Sequence, residues 1–383
     1  MAHRSLACPS LVGAAAWLLG AVGGPTVAQE LVSVIDERFD PPGEAAGLPD
    51  PFLFRDGEDW FIFGTGRRCA RTRLFTPEEV QLYDLELDLG QEAARGAYQV
   101  WSLRVYRHTD GAYHAYGTLH YGWFRTAVAH FVPQPDQVWA PGRPITRWRL
   151  DRVLVGDLEA GHYAYDSNVV RDEDGTLYLI YNAGYPVPDL AGDVHILAWR
   201  MRDPATPDPE FVPRPILSPE GFRSEDRNPG HKQLVEGTHL QRLQGKCVLL
   251  YSVGDFDDSN YKLGVAFSDT LIPPPGETYR KVTVPDPGKV WGSEGREDEV
   301  LYLLQTQVPE WPHYCGHLVN GPGIGSIVAL PDGQTALVFH ARRPGVRHLG
   351  GQGRYVWRLP VRVAIADGAP LSTWIEPLIP PPP

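Results

Sequence analysis

Three acids, Asp50, Asp166 and Glu236, stand at matching points of segments that recur along a chain of 383 residues. Each comes just before an apolar run that is followed by a turn glycine. Counting back eight residues from the residue before that glycine gives Ser102, Asp166, Glu236 and Ile324; Asp50 lies six residues back in a shorter first segment. If the segments are arranged around one axis, three carboxylates meet at one end of it. Gathered acids that lose water must be paired, hydrogen-bonded or protonated. Crowding drives their pKa values apart, so one stays protonated while another is ionised. Cleavage of a glycosidic bond needs that division of labour, with an acid on the leaving oxygen and a base or nucleophile across the sugar ring.

The elements that would carry the acids are hairpins. Phe54–Phe63, Arg107–Tyr116, Ala164–Ala183, Arg242–Tyr251 and Leu330–Phe339 each place a glycine between two β-rich runs, at Gly57, Gly111, Gly175, Gly245 and Gly333. Glycine supplies the positive φ that tight hairpin turns require. Successive turn glycines are 54 to 88 residues apart. That spacing fits an all-β, five-bladed β-propeller of four-stranded antiparallel blades. One such domain would span residues 29–383, with the first strand of each blade lining the axis. Blades are expected at about Asp50–Gly66, Tyr98–Leu154, Tyr163–Arg202, Gln233–Leu271 and Gly321–Ala366, with Leu31–Ile35 closing the ring. Asp203–Pro219 reads as a connector. Thr76-Pro77-Glu78-Glu79 reads as a helix start. Leu82–Leu89 alternates as a single outer strand, its Asp84, Glu86 and Asp88 solvated on one face rather than holding calcium.

The composition narrows the partners. A hydrophobic fraction of 43% supports a large core, and 40 Gly with 37 Pro suit many short strands and turns. A net charge of −12 argues against nucleic acid and against an anionic membrane surface. Residues 1–28 read as a secretion signal: His3 and Arg4, an apolar stretch from Leu11 to Val22, and small residues before Gln29. A secreted or periplasmic location follows. Cys69, Cys247 and Cys315 remain, an odd number, and a closed ring would bring the units of Cys69 and Cys315 together for a bridge. The cysteines lack zinc spacing. Gly321-Pro322-Gly323 precedes no helix, which excludes a dinucleotide loop, and Gly323-Ile324-Gly325-Ser326 is no serine-hydrolase elbow. No cofactor is expected.

Leu48-Pro49-Asp50-Pro51-Phe52, Tyr165-Asp166 with Asp172–Gly175, Val235-Glu236-Gly237, Tyr261–Ser268 and Gly321–Ser326 together resemble glycoside hydrolase family 43 over most of the chain after the signal. The resemblance implies a five-bladed propeller acting as an arabinofuranosidase- or xylosidase-like glycosidase. Asp50 would be the general base, Glu236 the general acid, and Asp166 the residue that orients the acid and tunes its pKa. Inversion at the anomeric carbon then places the Asp50 and Glu236 carboxyls roughly 6.5–9.5 Å apart. The family's fifth-blade segment commonly carries a metal-serving His where Ile324 stands, so no metal is expected here. Ser167 is a second departure, and both mark a distant branch. Substrate contacts are expected from Trp101 and Trp311 as stacking platforms, from His239 on the axial side, and from Arg342. Two other readings stay open: a carbohydrate-binding propeller without catalysis, and a phosphorylase, which would need a cationic cluster beside the acids.

Overall fold

The structure is a computed structural model. It describes residues 30–382 except 41–46, 123–124, 157–162, 185–191, 221–224, 226–232, 283–299, 308, 310–311 and 347–352. The signal segment and Trp311 lie outside the described residues. Among the described residues, twenty-three strands form five antiparallel-rich sheets. Strand β1 (Val32–Ile35) comes first, followed by β2 (Phe52–Asp56), β3 (Asp59–Phe63), β4 (Arg68–Thr72) and β5 (Gln81–Asp84), which make the first blade. A short β6 (Glu86–Asp88) crosses to the second blade, which contains β7 (Gln99–Arg107), β8 (Tyr113–His120), β9 (Thr126–Pro133) and β10 (Arg147–Val155). The third holds β11 (Ala164–Arg171), β12 (Leu177–Gly184), β13 (Val194–Asp203), β14 (Thr206–Pro207) and β15 (Arg214–Leu217). The fourth holds β16 (Glu236–Leu243), β17 (Lys246–Val253), β18 (Lys262–Ser268) and β19 (Arg280–Lys281). The fifth holds β20 (Asn320–Ala329), β21 (Thr335–Arg342) and β22 (Tyr355–Val363), with β23 (Ile375–Pro377) on its edge.

The ring closes as the hairpin pattern requires. The innermost strands β2, β7, β11, β16 and β20 contact one another in cyclic order. On the outside, β1 pairs antiparallel with β22, Val32 opposite Arg358, so the start of the chain completes the last blade. The core lies between the blades. Phe61, Phe63, Leu103, Phe131 and Trp148 fill the space between blades one and two. Tyr116, Val128, Leu179 and Leu197 fill the next, and Ile180, Ile196, Leu249 and Tyr251 the one after. Leu250, Val265, Phe339 and Trp357 join blades four and five; Val34, Leu53, Ile62, Val338 and Val356 join five and one. Strand alternation explains this. Each blade buries both faces, one against each neighbour, and only its outer edge strand meets water.

Several expectations are corrected. The first blade does not end at Gly66 but runs on to Asp84, because β4 and β5 are its third and fourth strands. Leu82–Leu89 is not one strand: it breaks at Leu85, so that β5 pairs with β4 while β6 pairs parallel with β10. Asp203–Pro219 is not a bare connector, since β14 and β15 both pair with β13. Residues 76–79 form a turn, not a helix, and the Glu79 carboxylate accepts the Leu74 N–H at 2.7 Å. A single helical turn forms instead at Gln91–Ala94. Cys69 and Cys315 are free, each buried in a different inter-blade core. Their blades are neighbours, but their side chains face away from the shared interface.

Candidate active site

Each inner strand begins with a kink. Asp50, Ser102, Asp166 and Ile324 have φ of +58°, +48°, +49° and +26°, and Gly237 has +84° in the fourth blade. Non-glycine residues rarely occupy this region, and each costs about 1–3 kcal/mol unless its surroundings enforce it. The preceding blade does so. Ser102 N–H donates to Thr65 Oγ1, Asp166 N–H to Thr118 Oγ1 and Ile324 N–H to Ser252 Oγ, each at 2.9 Å. Asp50 N–H donates to His340 Nδ1 at 2.8 Å. A side chain at or just past the end of the second strand of blades one, two, four and five thus bolts the next blade's kink in place, while the blade-four kink falls on a glycine.

This ring of kinks also corrects the register. Asp50, Ser102, Asp166 and Ile324 are equivalent, but their counterpart in blade four is Gly237, not Glu236. The hairpin after β16 is one residue shorter, with Leu243 directly paired to Lys246 around Gln244-Gly245. Glu236 therefore matches Trp101 and Tyr165, the residues facing Thr118 and Asn182. A shift of one residue along a strand turns a side chain to the other face. Glu236 consequently approaches the site from a different side than Asp50 and Asp166.

The structure brings the three acids together at one mouth of the axis, each 6–8% exposed. Their surroundings differ. Asp50 accepts from Thr65 Oγ1 at 2.5 Å and from Arg354 Nη1 at 3.1 Å. Burial pushes its pKa up, but the Arg354 guanidinium, with Thr65 and the more distant Arg104, outweighs this and holds the carboxyl below its usual range. His340 supplies no charge. Burial holds its pKa well below the ordinary value, and Nδ1 accepts the Asp50 N–H, so the ring is neutral with its proton on Nε2. Asp166 is pushed up to about 6, first by burial and then by the charge of Asp50, against Arg104 and the Ser102 hydroxyl, which donates at 2.5 Å. Glu236 is clamped by two phenols: Tyr165 OH donates to one carboxylate oxygen at 2.8 Å and Tyr261 OH to the other at 2.7 Å. Tyr261 stacks on His340, which links Glu236 through two rings to the backbone of Asp50.

Gly323 makes the Tyr261 position available. A Cβ at residue 323 would fall inside the Tyr261 ring. Gly323→Ala should therefore push the phenol off Glu236. Loss of one hydrogen bond to a carboxylate corresponds to about 1.5–3 kcal/mol, or about 10- to 100-fold in kcat if Glu236 must be held for reaction. Tyr261→Phe should give a similar loss. The double variant should be no worse than either single one, because both remove the same contact.

The expected substrate contacts divide. Trp101 stands at the mouth, half-buried beside Ser102, and stacks on His120 with centroids 3.9 Å apart. Tyr98 meets the same imidazole edge-on at 5.0 Å and is itself exposed. His239 lies deeper, towards the hairpin side of the axis. Its Nδ1 is 3.2 Å from Ser326 Oγ and its Nε2 3.0 Å from Gln241 Oε1. It lines a separate cavity of about 470 Å³ with Phe52, Gln241 and Ser326, which none of the three acids lines. Arg342 is fully buried; it donates to Phe256 O at 2.7 Å and so supports the loop over residues 254–260 from below. None of Thr65, Ser102, Arg104, Tyr165, Tyr261, His340 and Arg354 was given a role in the site from sequence, although the register count reached Ser102. Tyr165 and Tyr261 carry a signal, being next to Asp166 and at the head of Tyr261–Ser268. Arg354 carries none, since it is 304 residues from the acid it pairs with.

The residues beneath the acids do not suit a metal ion. Ile324 is apolar, both His239 nitrogens are engaged, and the Arg104 guanidinium already brings positive charge to the axis. Among the described residues no cluster of three His, Cys, Asp or Glu is arranged to hold one.

The closed ring of five four- to five-stranded sheets is the fold of solved family-43 glycoside hydrolases. The chain is similar to a thermostable family-43 glycoside hydrolase, with TM-score 0.59 and 17% identity over 88% of this chain and 95% of that one. An α-L-arabinofuranosidase from Lactobacillus brevis gives 0.60 and 17%, covering 84% and 93%. A Cellvibrio cellulosa α-L-arabinanase bound to arabinohexaose gives 0.57 and 16%, covering 86% and 95%. No family model and no curated protein sequence matches the chain.

Proposed function

We propose that this protein is a glycoside hydrolase that inverts the anomeric centre of an oligo- or polysaccharide. The supporting observation is the contrast among three neighbouring carboxyls: Asp50 kept ionised by Arg354, Asp166 raised towards neutrality, and Glu236 gripped by two tyrosines. In this reading Asp50 takes a proton from water as the water attacks the anomeric carbon. Glu236 gives its proton to the glycosidic oxygen as that bond breaks, and the sugar leaves with its configuration reversed. Asp166, anchored by Ser102, holds the sugar and the field around the acid. Trp101 offers a flat apolar face for a sugar ring.

The structural neighbours named for arabinose-containing substrates favour pentosides, so arabinofuranosides and xylosides are the substrates we put first. The arginines near the acids are turned to other duties, Arg354 to Asp50 and Arg342 to the Phe256 carbonyl, which favours hydrolysis over phosphorolysis. Export, read from residues 1–28, would place the enzyme where such polymers occur. Incubating the protein with 4-nitrophenyl α-L-arabinofuranoside, β-D-xyloside and their hexose counterparts tests the reading. Release of nitrophenol from a pentoside is expected. Inertness towards every member, together with binding of the same sugars, would leave a carbohydrate-binding propeller instead.

A further inference from the structure

Arg104 lies beneath the acids, and the proposed reaction does not use it. It projects from β7 in blade two, is 1% exposed, and reaches across the axis to blade four, where Nη1 donates to Thr238 Oγ1 at 2.6 Å. The Thr238 hydroxyl passes its own proton to the main-chain oxygen of Asp166 at 2.7 Å. The guanidinium also sits over the Phe52 ring of blade one, 5.5 Å from its centroid. One side chain thus ties blades one, two, three and four together at the centre of the ring. Its Nε has no partner. A buried guanidinium stays charged and is costly without counter-charge. The counter-charges here are Asp166 and, more distantly, Asp50. The other titratable groups around it are His239 on β16, held neutral partly by Arg104 itself, and, around Asp50, His340 on β21 and Arg354.

We propose that Arg104 is the resident cation of the propeller axis, a positioning residue that favours the ionised form of Asp166 and, more weakly, of Asp50, and fills the electrostatic place of an axial metal. The claim borrows from the glycosidase reading only the importance of those two acids. A divalent cation entering the axis would meet a fixed positive charge, the apolar side chain of Ile324, and a His239 whose nitrogens are taken. The guanidinium needs no loading from solution, and Thr238 and Phe52 hold it in one orientation.

The ionisation can be read without catalysis. Carbon-13 NMR of protein labelled at aspartate Cγ, with Asp166→Asn and Asp50→Asn to assign the signals, follows each carboxyl through a pH titration. In the native protein Asp166 is expected to titrate near 6. In Arg104→Met it should titrate higher, by about 1–3 units, the range for loss of a nearby opposite charge. Arg104→Lys, which keeps the charge, should retain most of the native value. An unchanged Asp166 titration in a folded Arg104→Met protein would overturn the proposal, whether or not the protein hydrolyses any glycoside. A second measurement holds even if both variants fail to fold. The melting temperature of the native protein should be unmoved by millimolar calcium or by chelator, and a saturable calcium-dependent rise would refute the claim that Arg104 fills the metal's place.

Discussion

Glu236→Gln should lower kcat on a glycoside with a poor leaving group by about 10²–10⁴-fold, the usual contribution of a general acid. Glutamine keeps the shape: its one oxygen can accept from one phenol and its NH2 can donate to the oxygen of the other, so the fold survives with both tyrosines still engaged. What is lost is the proton for the departing oxygen. The deficit should therefore depend on the leaving group. With a 2,4-dinitrophenyl glycoside, whose anion departs without protonation, the variant should approach native turnover. An equal loss on both substrates would mean that Glu236 is not the acid.

Asp50→Asn should produce a loss of similar size with the opposite dependence. Water must be deprotonated whatever departs, so the better leaving group should give no relief. Added azide, a nucleophile that needs no base, should restore turnover and yield a glycosyl azide of inverted configuration. The size of the effect follows from how Asp50 is held. Thr65, Arg354 and the backbone link to His340 fix its carboxylate in an ionised state; an amide in the same cradle can accept from Arg354 through its one oxygen and donate its NH2 to Thr65, but it cannot take a proton. Azide rescue of Glu236→Gln but not of Asp50→Asn would reverse the two assignments.

The architecture was legible because it is periodic. The five turn glycines and the alternating strands around them require hairpins, and sheets buried on both faces require a ring. Asp50 and Asp166 could be placed from that count because their kinks are equivalent. Glu236 appeared equivalent only because the hairpin after β16 is one residue shorter, and a shortened turn leaves no mark in the count. The shell around the acids was the harder part. Thr65, Thr118, Ser252 and His340 act across blade boundaries, where one small polar side chain per blade looks like any other strand residue. Ser167 and Ile324 read as departures from a familiar pattern, yet neither disturbs the acids: Ile324 keeps the ring's kink and its bond to Ser252. The bridge expected between Cys69 and Cys315 failed on a point the ring alone cannot decide, namely which face of its blade each residue occupies.

Inversion requires Asp50 and Glu236 to work from opposite sides of one sugar, and the anomer released first reports on that directly. Proton NMR during the opening minutes of hydrolysis, before mutarotation, should show only the sugar of configuration opposite to the substrate. First appearance of the same anomer as the substrate would require a covalent intermediate on one of these carboxylates and would contradict the assignment of Asp50 as a base.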